Sequence, residues 1–242
     1  MHYHLLTNPG ERGHNEDYVG TALRDNHVLF ILADGLGGHG KGEVASKTVV
    51  EAVIEYYEHA EKLPELSDCI EYAQSILLEK QIRESMTYGM KTTLVIAEVA
   101  EDRARWAHVG DSRAYLFFKG KMIKRTLDHS VPQMLVATGQ IKEKEIRFHE
   151  DRNRLLKVMG VEWDRPMYEV GEWFEISDND VFLLCSDGFW EWIDENHMEK
   201  CYKKAGNLAG WLGLMEREIC VNGKGKNMDN YSAIVVDFSD AI

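Results

Sequence analysis

An α+β fold with antiparallel sheets is predicted by three observations. Four short apolar segments follow one another between residues 92 and 126 with only polar or glycine breaks, as in an antiparallel meander. Two long helical patterns stand back to back, so the strand–helix alternation of a doubly wound parallel sheet is missing. The 242 residues carry 44% hydrophobic residues, enough for one substantial core. No repeat, low-complexity tract or linker-like stretch divides them, which predicts one domain over residues 1–242.

Taken in order, residues 17–23 and 27–33 read as two strands joined near Arg24-Asp25-Asn26, a plausible hairpin. From 43 to about 62 apolar residues fall at Val44, Ala45, Val49, Val53, Ile54 and Tyr57, a helical stripe that Pro64 ends. A second helix is expected over 65–86, with Ile70, Ala73, Ile76, Leu77 and Ile82 on its apolar side, packed with the first on a sheet. Strands follow at 92–100, 104–110, 112–120 and 121–126. Residues 131–160 are helical or irregular and heavily charged, which suggests an exposed insertion. A buried strand at 180–185, helices at 194–204 and 208–220 and a last strand at 232–238 complete the chain.

The stretch VLFILADGLGGHGKGEVAS, residues 28–46, organises the rest. An apolar strand delivers Asp34 into a turn with five glycines in eight residues, and a helix begins after it. Such a turn lets backbone and ligand come close, which suits a metal or a phosphate. Two letter patterns fit and fail. Gly35, Gly37 and Gly40 match a dinucleotide fingerprint, but a second helix follows where that unit needs a strand. Gly35, Gly40 and Lys41 approach a phosphate-binding loop, but Gly42 stands where a hydroxyl should meet Mg²⁺.

The formal net charge of −13 argues against duplex nucleic acid or an anionic membrane as partner. No apolar run approaches the roughly 20 residues of a membrane span, and no signal peptide is visible, so the cytoplasm is expected. Cys69, Cys185, Cys201 and Cys220 form no C-x-x-C pair and read as reduced thiols. None has an arginine six positions on, which removes a cysteine-nucleophile phosphatase loop.

Acids collect where strands end. Glu16 and Asp17 precede the first strand, Asp34 ends the second, Asp111 lies between two, Asp187 follows DVFLLCS, and Asp229 precedes the last. Converging carboxylates repel one another unless cations lie among them. Oxygen donors without clustered His or Cys favour Mg²⁺ or Mn²⁺. Two such ions about 4 Å apart are a common device for activating water against phosphorus.

The motifs GERGHNED, ADGLGGHGKGEVAS, GMKTTLVIAEV, AHVGDSRAYLF, TLDHS, LLCSDGFWEWI and MDNYSAIVVDF occur in this order almost end to end. Together they resemble the metal-dependent (type 2C) serine/threonine protein phosphatases, in particular the small bacterial members. The resemblance implies a four-layer α-β-β-α sandwich, two antiparallel β-sheets flanked by helix pairs. It also implies a binuclear Mn²⁺ or Mg²⁺ centre whose activated water attacks phosphoserine or phosphothreonine in line, with no phosphoenzyme. Asp34 would bridge both ions, helped by the Gly35 carbonyl. Asp187 and Asp229 would hold one ion, and Glu16 or Asp17 the other, directly or through water. Asp111 matches the acid of a third, looser ion, and Glu191 stands where some relatives share that ion. Arg12 would grip the substrate phosphate with its planar fork of donors.

Some positions depart from the pattern. Leu36 stands where some relatives have a proposed proton-donating His, and His39 nearby reads as a loop histidine. His129 is expected to support the site by hydrogen bonding. The segment 139–160, with His149, falls where the family has its flap. The expected enzyme is a cytoplasmic monomer acting on phosphoproteins against a serine/threonine kinase, without nucleic acid or membrane. One rival is a catalytically inactive relative that binds phosphoproteins as a regulator. It is disfavoured because every core metal-ligand position holds a carboxylate. A hydrolase of small phosphoesters or nucleic acid is disfavoured by the acidic charge.

Overall fold

A computed structural model describes residues 1–37, 41–85 and 89–238. In chain order the strands and helices are β1 (His2–Asn8), β2 (Asp17–Arg24), β3 (His27–Leu36), α1 (Lys41–His59) and α2 (Leu66–Arg83), then β4 (Lys91–Thr92), β5 (Leu94–Ala100) and β6 (Arg103–Val109). β7 (Arg113–Phe118), β8 (Lys121–Arg125), α3 (Val131–Ala137) and a 3₁₀ turn (Glu143–Phe148) follow. The chain continues through β9 (Glu169–Val170), β10 (Phe174–Glu175), β11 (Asp180–Cys185), α4 (Asp187–Trp190), α5 (Glu195–Lys204), α6 (Leu208–Gly223) and β12 (Tyr231–Asp237).

Two antiparallel sheets result. The first runs β1-β12-β11-β7-β8; the second runs β10-β6-β5-β3-β2, with β4 on β3 and β9 on β6. Strand alternation makes the layers. On β3, Phe30 and Leu32 join Val95, Phe182 and Ile234 between the sheets, while Leu29, Ile31 and Ala33 face the other way onto Val49, Val53 and Ile70 of α1 and α2. On the far side, Phe117, Leu183 and Val235 pack against Trp211 and Met215 of α6 and Met198 of α5. Helix pair, sheet, sheet and helix pair form the expected four-layer α+β sandwich.

Four expectations need correction. The segments over 92–126 are not one meander: β5 and β6 belong to the second sheet, β7 and β8 to the first. The chain crosses between sheets at Gly110, whose φ of +100° and close approach to Thr93 suit glycine. β1 was not expected. It is an exposed edge strand, so its sequence shows little of the burial pattern that marks a strand. α1 starts at Lys41 and ends at His59, earlier than expected at both ends. α2 ends at Arg83, and Ile82 is 73% exposed rather than on the apolar side. Met86 and His39 lie outside the described residues.

Candidate metal centre

The expected site residues meet at one end of the sandwich. β2 and β3 pair so that Asp17 stands opposite Asp34. Beyond Asp34 the strand continues into Gly35, whose N–H donates to the Glu16 carbonyl at 3.1 Å. A Cβ on Gly35 would come within 2.3 Å of Gly42, so glycine lets the start of α1 abut the strand. The Asp34 backbone is held from the other side: its N–H donates to Thr93 Oγ1 (3.0 Å), and its carbonyl accepts from Thr92 Oγ1 (2.7 Å) and the Thr93 N–H (2.8 Å). Thr93 Oγ1 also bonds Ser112 Oγ at 2.7 Å, linking Asp34 to the crossing loop of Asp111.

The first sheet supplies the other acids. β11 runs into Ser186, and Asp187 opens the short helix α4. Trp190 Nε1–H, from the end of α4, donates to the Asp111 carbonyl at 3.0 Å, and the buried Arg113 guanidinium lies 3.6 Å from the Trp190 ring centroid. Asp229 precedes β12, and its Oδ2 accepts from Arg12 at 3.0 Å. Arg12, Glu16, Asp34, Asp111, Asp187 and Asp229 all line one cavity of about 860 Å³, together with Gly35 and Leu36. Asp17 lies just beneath, 6% exposed; its Oδ2 accepts from Ser186 Oγ at 2.8 Å, and its Oδ1 has no partner.

These acids are short of positive charge. Burial, then the neighbouring acids Asp187, Asp17 and Asp111, push Asp34 well above the usual carboxylate range. Burial and Asp111 do the same to Asp187. Asp17 and Asp111 are each pushed up to about 7, chiefly by burial. Glu16 is raised by burial and by Asp229. A buried carboxylate oxygen without a donor, amid mutually repelling acids, fits divalent cations, and the oxygen-rich set fits Mg²⁺ or Mn²⁺ better than softer metals.

Glu191 faces the same acids but is engaged by Arg152 at 2.5 Å. Arg147 donates to the carbonyls of Trp190 (2.8 Å) and Ile193 (3.3 Å), so two arginines fasten the segment 139–160 to α4 and the turn after it. Asn153 and Leu155 of that segment reach the cavity wall, as do His14 and Asn230. None of these four was singled out from sequence. Asn230 directly follows a candidate ligand, but a neighbouring amide is no signal by itself.

His129 lies apart from the acids. Its Nδ1 accepts from the Gly110 N–H at 3.2 Å, its Nε2 meets Glu169 at 3.1 Å, and its ring stacks on His108 at 4.4 Å. Metal-ligating atoms of His108, His129 and Glu169 fall within 4.8 Å of one another. Hydrogen bonding nevertheless assigns the protons differently. The Gly110 N–H leaves His129 Nε2 as a donor to Glu169, and His108 Nε2–H donates to the Leu127 carbonyl at 2.7 Å. The trio is a strut held by these hydrogen bonds and by the stack of the two rings, in which the buried His108 Nδ1 has no partner.

Residues 11–209 match the protein phosphatase 2C family. The serine/threonine phosphatase stp of Listeria monocytogenes serotype 4b is 34% identical over 219 residues, 86% of each chain. Among solved structures, the serine/threonine phosphatase Stp1 from Staphylococcus aureus superposes with a TM-score of 0.87 at 32% identity, covering 97% of this chain and 94% of that one. The catalytic domain of the serine/threonine protein phosphatase PstP, in complex with two manganese ions, superposes with a TM-score of 0.81 at 27% identity, covering 98% and 97%. On the length of the family match, the fold and the named relatives, the chain belongs to the protein phosphatase 2C family.

Proposed function

We propose that this chain is a metal-dependent protein phosphatase that hydrolyses phosphoserine and phosphothreonine in proteins. The observation that carries the reading is the gathering of carboxylates from both sheets around one cavity, with an orphaned Asp17 oxygen beneath and Arg12 on the wall. Asp34 and the Gly35 carbonyl, with Asp187, Asp229 and Glu16 or Asp17, would hold two divalent ions. Asp111 would hold a third, looser ion. When bound, Mn²⁺ or Mg²⁺ would supply an acidified water for in-line attack on phosphorus, with no phosphoenzyme. Arg12 exchanges Asp229 for two oxygens of the substrate phosphate and orients it. Leu36 keeps the neighbouring wall apolar and offers no proton. Residues 139–160 act as a flap over the cavity, with Asn153 and Leu155 on its inner side.

The substrates are phosphoproteins, and a serine/threonine kinase opposes the enzyme, a cytoplasmic monomer of one domain. Phosphate release from a phosphothreonine peptide, with Mn²⁺, Mg²⁺ or EDTA, tests the reading. Turnover is expected with metal, and not with EDTA or in Asp34→Asn. A folded protein with no turnover in any metal would favour a phosphoprotein-binding role instead.

A further inference from the structure

Sequence sets the two groups of acids far apart. Glu16 and Asp17 lie where the second sheet begins, and Asp229 lies where the last strand of the first sheet begins. Residues 9–16 form the loop that carries the chain from β1 in one sheet to β2 in the other. Asn230, 6% exposed, fills the corner between that loop and β12.

Every strong valence of its side-chain amide faces this loop. Oδ1 accepts from the Glu16 N–H at 2.8 Å, and Nδ2 donates to the Pro9 carbonyl at 2.9 Å and to the His14 carbonyl at 2.8 Å. The amide orientation is fixed by this chemistry, because a flip would set N–H against N–H and oxygen against two carbonyls. The Asn230 N–H donates in turn to Asp229 Oδ1 at 2.9 Å, so one residue touches both groups of acids. The backbone is fitted around it. A Cβ on Gly188 would come within 2.1 Å of the Asn230 carbonyl oxygen, and one on Gly10 within 2.2 Å of the Asp229 carbonyl oxygen. Gly10 has φ of +61°, which glycine adopts without strain.

We infer that Asn230 is a positioning residue: its side-chain amide sets the spacing between the Glu16 side and the Asp229 side of the centre, and so whether both halves can hold metal together. The inference rests on the metal-dependent reading above. Aspartate at this position keeps an acceptor for the Glu16 N–H but sets a second oxygen against two carbonyls, so shape alone does not replace the amide. Outer groups that orient metal ligands typically change metal affinity by about 10–100-fold when removed.

The test is calorimetric titration of the metal-free protein with Mn²⁺, in wild type, Asn230→Ala, Asn230→Asp, Glu16→Ala and Asn230→Ala/Glu16→Ala, with circular dichroism and thermal melting as fold controls. Wild type is expected to take up two tightly held ions, with the third, at Asp111, looser. Asn230→Ala should lose at least about tenfold in affinity for one of them while retaining the other. Asn230→Asp should do the same, and this variant decides if the alanine protein does not fold. The double variant should be little worse than Glu16→Ala, because Asn230 acts through the Glu16 backbone. A purely structural role would lower the melting temperature and leave the titration unchanged. Folded Asn230 variants with wild-type Mn²⁺ binding, or fully additive losses in the double variant, overturn the inference and leave the phosphatase reading standing. Wild type that binds Mn²⁺ but releases no phosphate overturns the phosphatase reading alone, and the titrations still decide the role of Asn230. Wild type that takes up no Mn²⁺ overturns both.

Discussion

The second sheet holds two buried carboxylates with opposite fates. Glu98, on β5, is fully shielded from solvent, and each of its carboxylate oxygens is met by the chain. Its Oε1 accepts from Tyr57 at 3.0 Å and lies 2.9 Å from His27 Nδ1; its Oε2 accepts from Arg105 Nε at 2.7 Å. Asp17, on β2 at the opposite end of the sheet, has only the hydroxyls of Ser186 and Ser232 near it, and its Oδ1 has no hydrogen-bond partner. β3 joins the two places, with His27 beside Glu98 at its start and Asp34 opposite Asp17 near its end. A buried acid satisfied by its own chain is part of the fold. One left short of donors, beside others like it, is arranged for something the chain does not carry.

The contrast can be broken from either side. Removing Asp34 should strike activity and spare the fold: Asp34→Asn is expected to lose on the order of a thousandfold in phosphate release. Glu98→Gln, assayed well below its melting temperature, should stay within a few-fold of wild type. Comparable losses in the two would erase the distinction. Truncating Glu98 to Ala leaves Arg105 Nε and the Tyr57 hydroxyl without their buried acceptor, although Arg105 keeps Glu65, and should cost about 3–5 kcal/mol in urea denaturation, with Mn²⁺ affinity unchanged. Saturating Mn²⁺ at about a hundred times its dissociation constant should stabilise wild type by about 3 kcal/mol and Asp34→Asn by much less. Equal stabilisation of both would place the ion elsewhere.

The smallest effect belongs to the histidine strut. Burial, followed by His108, holds His129 down to about 4, and burial lowers His108 as well. Because the folded imidazole binds a proton less readily than the unfolded one, the unfolded state takes up more protons below about pH 6.5. Stability is therefore intact above that pH and is lost as pH falls toward 4. For His129 the loss between pH 6.5 and 5 is about 2 kcal/mol. The difference in unfolding free energy between wild type and His129→Asn, followed over that range, isolates it; a flat difference would contradict the buried, neutral ring.

The acids were legible in sequence because an apolar run that halts at Asp and then Gly leaves that acid no room in a core. Asp34 and Asp187 both read this way. The layers followed from the helix stripes and the strand alternation. The crossing at Gly110 was not legible: two hairpins joined by a short polar turn look like a meander until the partners of each strand are known. Ile82 misled because periodicity marks a face, whereas the end of a helix can run past whatever that face covers. Asn230 was invisible for a different reason, since its amide is defined by Glu16, 214 residues away in sequence.

That distance also bears on how the protein comes into being. β12 lies between β1 and β11, so residues 231–237 bind the first strand to the rest of its sheet. During synthesis, Glu16, Asp34, Asp111 and Asp187 all leave the ribosome before Asp229 and Asn230 exist. The nascent chain therefore carries an unfinished set of acids, and its first strand waits unpaired until the last has emerged. Such a long-range closing step is slow by nature, and it withholds a competent site until residues 229–237 have been made.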